Sequence, residues 1–475
     1  MKRVILVQSL LIFLIAMMTW MLFFPHTMIW AESVSFFSFA PDFTELQMEL
    51  PKNIFFYCGA FLLQFFSSPA AGAFIIAFMI WIIAMSFDVA IYRLTKKQRL
   101  TWFSMIPASV ALAVMPKYLT LAGPVLWCFV SLGIALVSFL LGYIPFFRRL
   151  RVGKKAGWVT YALLPALMLA LAALYSVNRK MSRTNERIYR IEHLAEAGDW
   201  YGVIEEITPQ EAAMDPVMKR FAMFALMATG TLPDRMLEYG MRSPDDMMFT
   251  GSKMREPKYI DAFFYEILGA DNEVIRKMFE NNPLSPFGFS NRCMRRITDA
   301  FIRQGNKALA EKYLSVMETS PFKKKWVDSR REQLRLSEKR GRRRNPNDGK
   351  TLVGTISEAL VLEDSYRLLL ADSTDRRKLD VFLCGVLATK DIDQFVRTFG
   401  SEGKNIYSYG KKLPRIYQEA LMLASEKNDS VKAIFVPEGG VERDFREFTR
   451  LRDRQDSFGM TSKFRNSYWT YYYLR

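Results

Sequence analysis

The segment from Ile54 to Tyr92, IFFYCGAFLLQFFSSPAAGAFIIAFMIWIIAMSFDVAIY, constrains this chain more than any other. It is too long for one membrane span and too polar in its middle for two. A helix rising 1.5 Å per residue needs roughly 20 apolar residues to cross the hydrocarbon layer. The triplet Ser67, Ser68, Pro69 divides the segment into a short apolar run, Ile54 to Phe66, and a full-length one, Ala70 to Ala90. Whether the short run crosses decides on which side of a membrane everything after it lies.

Four further apolar runs surround it. Val4 to Phe24 follows Lys2 and Arg3 and reads as an uncleaved span, because Phe23, Phe24 and Pro25 make no small-residue cleavage site. Leu100 to Met115, Val125 to Phe147 and Gly157 to Val177 follow. Lys and Arg are retained on the cytoplasmic side. They cluster at Lys2 and Arg3, at Arg93, Lys96, Lys97 and Arg99, and at Arg148, Arg149, Arg151, Lys154 and Lys155. The loop Pro25 to Asn53 is acidic, with Glu32, Asp42, Glu45 and Glu49 against Lys52. About five spans put all three clusters inside, provided that Ile54 to Phe66 is a re-entrant or interfacial helix. The expected protein is a multi-pass inner-membrane protein with a cytoplasmic N-terminus and the chain after Arg179 outside, in the periplasm of a two-membrane cell. Arg179, Lys180 and Arg183, directly after the last run, pull the other way.

Charge marks the boundary. Met1 to Asn178 holds 13 Lys/Arg and 5 Asp/Glu, whereas the remainder holds 52 and 43. The expected fold is all-α: a transmembrane bundle at residues 1–178, a soluble helical-hairpin domain at 179–321, a basic helix and linker at 322–354, and a second helical unit at 355–475. The hairpin reading rests on runs such as CMRRITDAFIRQGNKALAEKYLSVMETSP from Cys293, where a Gly turn joins two amphipathic helices in the manner of a tetratricopeptide repeat. The second unit is read as helices at Thr355–Asp372, Arg376–Leu387, Asp391–Phe399, Leu413–Lys427 and Val441–Asp456. Phe322 to Lys350 carries 12 Lys/Arg against 4 Asp/Glu and reads as a solvated polar helix and linker. The aromatic end FRNSYWTYYYLR reads as a helix docked on the hairpins, with a membrane-interface anchor as the sharper alternative.

Catalytic signatures are scarce. With two histidines, His26 and His193, a histidine-built zinc site is not expected, and no CxxC, HExxH, GxSxG or GxGxxG occurs. GKT at Gly349 to Thr351 lacks the upstream glycine and strand of a phosphate loop. No cofactor or metal is called for. An outside location argues against nucleic acid and leaves membrane lipids and an envelope or protein partner. Cys293 and Cys384 read as buried thiols more readily than as a bridge. Glu32 and Asp42, beside Trp30, Phe36, Phe37, Phe39 and Phe43, are the candidate acid–base residues, since a carboxyl in an aromatic setting can be tuned for proton transfer. Asp88 is the one acidic residue inside an apolar run and would support a transporter component.

His26, Glu32, Phe37, Phe39, Asp42, Tyr57, Gly59, Phe61, Gln64, Phe65, Phe66, Pro69 and Gly72, with LPRIYQEAL and SYWTYYYLR in the tail, carry a resemblance. The chain resembles an uncharacterised bacterial family of polytopic membrane proteins with helical-repeat tails and, more remotely, lipid-linked sugar transferases that place a carboxylate in the first outer loop. The resemblance implies two roles. One is a membrane-anchored scaffold presenting its helical tail. The other is an enzyme acting on a lipid-linked sugar with Glu32 or Asp42 as base.

Overall fold

Apolar runs become helices where a proline or a polar turn sets their ends, and the computed structural model follows that rule throughout. It describes residues 2–49, 54–95, 97–117, 120–141, 158–248, 258–281, 288–341, 361–407, 413–427, 431 and 436–474. Every regular element among the described residues is helical. Two compact units result, and neither is continuous in the chain. The first comprises Met1–Arg190 and Asn282–Ser337; the second comprises Ile191–Asn281 and Glu338–Arg475.

The first unit begins with α1 (Lys2–Phe23), α2 (Pro25–Ser33), α3 (Pro41–Glu49), α4 (Ile54–Leu63) and α5 (Pro69–Thr95). It continues with α6 (Met105–Val114), α7 (Ala122–Leu141), α8 (Trp158–Asn178) and the start of α9 (Lys180–Glu196). Three more helices complete it: Asn291–Gln304, Lys307–Glu318 and Lys324–Gly341. Pro25 opens α2 at its first turn, where its missing N–H costs nothing, and α1 and α2 meet at 77°.

The expected count of about five spans is corrected here. Among the described residues only α5 and α7 are long and apolar enough to cross a membrane, or three spans if bent α1–α2 is one. The apolar pieces Ile54–Ser67, Leu100–Val114 and Leu163–Asn178 are shorter. The physical reasons are local: the run from Leu100 is spent first on a 3-10 coil, Gln98–Ser104, and the run ending in α8 is apolar over Leu163–Asn178 alone among the described residues. The basic cluster Arg148 to Lys155 lies outside the described residues.

Small residues let these helices approach. Ala16 of α1, Ala73, Ala77 and Ala84 of α5 and Ala108 of α6 are fully buried between Ile12, Ile76, Ile80 and Leu112. The outer surface is inverted relative to a water-soluble bundle. Leu10 and Leu14 on α1, Phe129, Leu132 and Leu136 on α7, and Leu167 and Leu171 on α8 are exposed. Monomeric water-soluble proteins rarely expose apolar side chains in such numbers together.

The second unit is built from short amphipathic helices with regular stops. Asp215 accepts from the amides of Val217 and Met218 to cap Pro216–Thr229, and Gly230 at φ 70° ends it. Thr208 and Glu211 form a capping box on Pro209–Met214. The closing helix, Tyr468–Leu474, is docked as the first reading of the aromatic end expected. Trp469 is fully buried among Phe445, Phe448 and Phe464, and its Nε1 donates to Glu419 O at 2.8 Å. Tyr471 Oη donates to Ala388 O at 2.6 Å. The basic tract is helical over Lys324–Gly341, while its second half from Arg342 and the GKT triplet lie outside the described residues.

Candidate functional site

Polar chemistry in the first unit converges on α2. At its N-terminus the Glu186 carboxylate of α9 accepts from His26 N at 2.8 Å, Thr27 N at 2.8 Å and Thr27 Oγ1 at 2.6 Å. Amides at a helix start have no partner within the helix and carry the positive end of its dipole, so a carboxylate there satisfies both. Tyr189, one turn along α9, stacks on Trp30 with ring centroids 4.4 Å apart.

At the other end of α2, Glu32 is only 2% exposed. Its Oε1 accepts from Asn291 Nδ2 at 3.0 Å and Arg295 at 3.4 Å, and forms an ion pair with Lys323. The same Asn291 Nδ2 lies 3.1 Å from Glu32 O and 3.1 Å from Gln64 Oε1. Gln64 Nε2 donates in turn to Ser35 Oγ at 3.1 Å. Arg292 donates to Ser33 Oγ at 2.7 Å, and Asn291 N to Ser35 O at 2.8 Å. Ser290 caps the Asn291–Gln304 helix by accepting from Cys293 N, which fixes Asn291 and Arg292 in the first turn, facing α2.

Lys323 sits in the turn between Lys307–Glu318 and Lys324–Gly341. Phe322 before it takes φ 63° and rests its ring on Phe65, centroids 4.7 Å apart, which aims Lys323 inward. Burial pulls the ammonium below its ordinary pKa, while Glu32 beside it pulls the other way. Counted as part of a solvated tract in the sequence, Lys323 is 3% exposed.

The two candidate carboxylates are not brought to one place chemically. Asp42 is exposed in the first turn of α3 and has no hydrogen-bond or ion-pair partner among the described residues. Cys293 and Cys384 are buried free thiols. No group of three His, Cys, Asp or Glu side chains is placed to hold a metal among the described residues. Sequence reasoning missed Asn291, Arg292, Arg295 and Lys323. The one available signal was Gln64, a polar residue inside an apolar run that needs a partner once buried.

The second unit has a cavity of about 520 Å³ lined by Arg415, Glu419, Asp444, Lys463, Asn466 and Ser467, among others. Arg415 is committed there to Glu419 at 2.8 Å and Asp444 at 2.6 Å. Burial holds the Glu419 carboxyl above the ordinary glutamate range despite Arg415 and the Tyr468 amide.

These features define a class: an all-helical protein whose apolar bundle carries a bent first helix gripped by polar side chains from far along the chain. The chain belongs to DUF6057, a family of unknown function, whose profile matches residues 1–167 and 117–475. No curated protein matches it, and no solved structure does.

Proposed function

We propose that this protein is a membrane-anchored helical scaffold that presents tetratricopeptide-like hairpins outside the cytoplasm to an envelope or protein partner. The observation carrying this reading is the grip on α2. Glu186, Asn291 and Lys323 all bond to the segment that directly follows α1, so α9 and the Asn291–Gly341 hairpins share the face at which α1 ends. Lys2 and Arg3 hold the opposite end of α1 inside. No described helix after Asn178 is long and apolar enough to return.

Two details support the same sidedness. α4 and its 3-10 extension meet the stretch from Ser35 to Thr44 near both of their ends. Tyr57 packs on Phe37 at 4.9 Å and reaches Thr44 Oγ1 at 3.4 Å, while Gln64 reaches Ser35. Such contacts support a helix that enters and leaves by one face. The contrary charges after α8 also have a local role, since Arg183 Nε donates to Val177 O at 3.2 Å at the C-terminus of α8.

In this reading Glu32 is a counter-ion. Its Oε1 is engaged by Lys323, Asn291 and Arg295, which supports a role in holding α2. Complementation of a deletion strain tests it. Glu32→Gln should fail through loss of the grip, and Glu32→Gln with Lys323→Met should recover, because the unpaired buried cation goes with its partner. A double variant as inactive as Glu32→Gln, in a protein that still folds, would return Glu32 to the role of base on a lipid-linked sugar. Labelling addresses the sidedness. Cysteines at Glu45, Ser67 and Ser315 in a cysteine-free chain should all react from one side with an impermeant maleimide.

A further inference from the structure

Asp88 lies on α5 and is 4% exposed, inside the apolar bundle. It has no ion-pair partner among the described residues. Arg93, the nearest cation on its own helix, is instead placed over the Phe139 ring at 4.1 Å. The described side chains of α1, α6 and α7 include no charged group. The groups set against the carboxylate are the side chains of Gln8 from α1 and Thr101 from the 3-10 coil Gln98–Ser104.

Both can hydrogen-bond the carboxylate, and Gln8 also leaves an oxygen without a donor. Gln8 is fully buried, and its Nε2 donates to Thr101 O at 2.9 Å and Ser104 Oγ at 2.5 Å. Both amide hydrogens of Gln8 thereby have acceptors, and its Oε1 is left with no donor. Asp88 Oδ1 likewise has no donor. Thr101 Oγ1 donates to Gln98 O at 2.8 Å, which ties it to its own coil beside the carboxylate. Two acceptor oxygens without donors and one formal negative charge thus sit together, with no ion pair to Asp88 among the described residues. A buried charge persists only when it is neutralised, and buried acceptors are satisfied in all but a few cases.

We propose that Asp88, Gln8 and Thr101 form a binding site for a small monovalent cation, a proton or a sodium ion, in the core of the apolar bundle. The shared chemistry is neutralisation of one carboxylate by a hard cation that also engages the carboxamide and hydroxyl oxygens. The site is defined by burial within one unit and does not rest on the scaffold reading or on sidedness. It also gives Gln8, a carboxamide in the middle of an apolar helix, a role beyond tying α1 to the 3-10 coil.

The test uses the full chain in detergent micelles, with aspartate carboxyls isotopically labelled for infrared spectroscopy. If the cation is a proton, a buried-carboxyl C=O band is present, and Asp88→Asn removes it. If it is sodium, thermal unfolding moves upward with NaCl over choline chloride at fixed ionic strength, and Asp88→Asn removes that response. Should Asp88→Asn fail to fold, Gln8→Met is the second probe. It should shift the C=O band, or raise the sodium concentration for half-response at least tenfold. Wild-type protein showing neither signal, or signals that persist in Asp88→Asn or are unmoved in Gln8→Met, overturns the site.

Discussion

Lys323 and Glu32, 291 residues apart in the chain, form an ion pair in which each side chain is 3% exposed. Desolvating two charges costs several kcal/mol each, so such a pair contributes little beyond a well-packed apolar one. Removing one partner is different, because the other charge is left buried. Glu32→Gln and Lys323→Met should each lower unfolding free energy by about 3–5 kcal/mol, and the double variant by clearly less than the two combined. Urea unfolding in micelles, followed through the fluorescence of partly buried Trp326 nearby in the chain, measures the cycle. Additive losses would mean that the pair does not carry the grip.

Glu186 holds the start of α2 by three hydrogen bonds, two of them to main-chain amides. Loss of a capping acceptor typically costs about 1–2 kcal/mol. Glu186→Ala should therefore loosen the α1–α2 bend and speed hydrogen exchange at His26 and Thr27. Glu186→Gln keeps an acceptor without the charge and should fall between. Unchanged exchange at both amides in Glu186→Ala would show that Pro25 alone sets the bend.

Glycines at two helix crossings separate backbone from side-chain crowding. A Cβ on Gly59 of α4 would overlap the Thr120 carbonyl oxygen before α7, and main chain cannot swing aside. On Gly72 of α5 the nearest atom would be Met28 Sδ at 2.8 Å, the end of a flexible side chain. Gly59→Ala should cost about 1–3 kcal/mol as an overpacked crossing, and Gly72→Ala less. The reverse order in thermal unfolding would place the tight crossing elsewhere.

The helices of the tail were legible because caps and periodicity are local. The run from Cys293 reads as two amphipathic helices joined by a Gly turn, and the helices observed are Asn291–Gln304 and Lys307–Glu318. Arg376 to Leu387 was likewise found to within one residue. The span count failed because hydropathy reports apolar length and says nothing of a 3-10 start such as Gln98–Ser104. The grip on α2 was invisible for another reason. Lys323 belongs to a run whose other lysines, Lys324 and Lys325, are exposed, and only the turn at Phe322 selects which one points inward. No single-sequence pattern encodes a pairing over nearly three hundred residues.

Asp364 gives the second unit a pH dependence whose sign follows from burial. It lies in the helix Val361–Ala371, where Tyr265 Oη donates to its Oδ2 at 3.1 Å and its Oδ1 has no donor. Burial pushes its carboxyl from the ordinary 3.8 up to about 6, against the opposing effect of the Tyr265 bond. The folded state therefore binds the proton at a higher pH than the unfolded chain does. Between these two values the folded state holds more protons, so stability falls as pH rises through the window and is recovered as pH falls from about 6 toward 4. Asp380 and Glu419, both raised by burial, act in the same direction. Asp364→Asn should flatten only its own share, leaving a shallower slope of midpoint temperature against pH across that window. Differential scanning calorimetry of the full chain reads this directly. A slope identical to wild type would mean that water reaches Asp364 and that its carboxyl titrates as an exposed aspartate does.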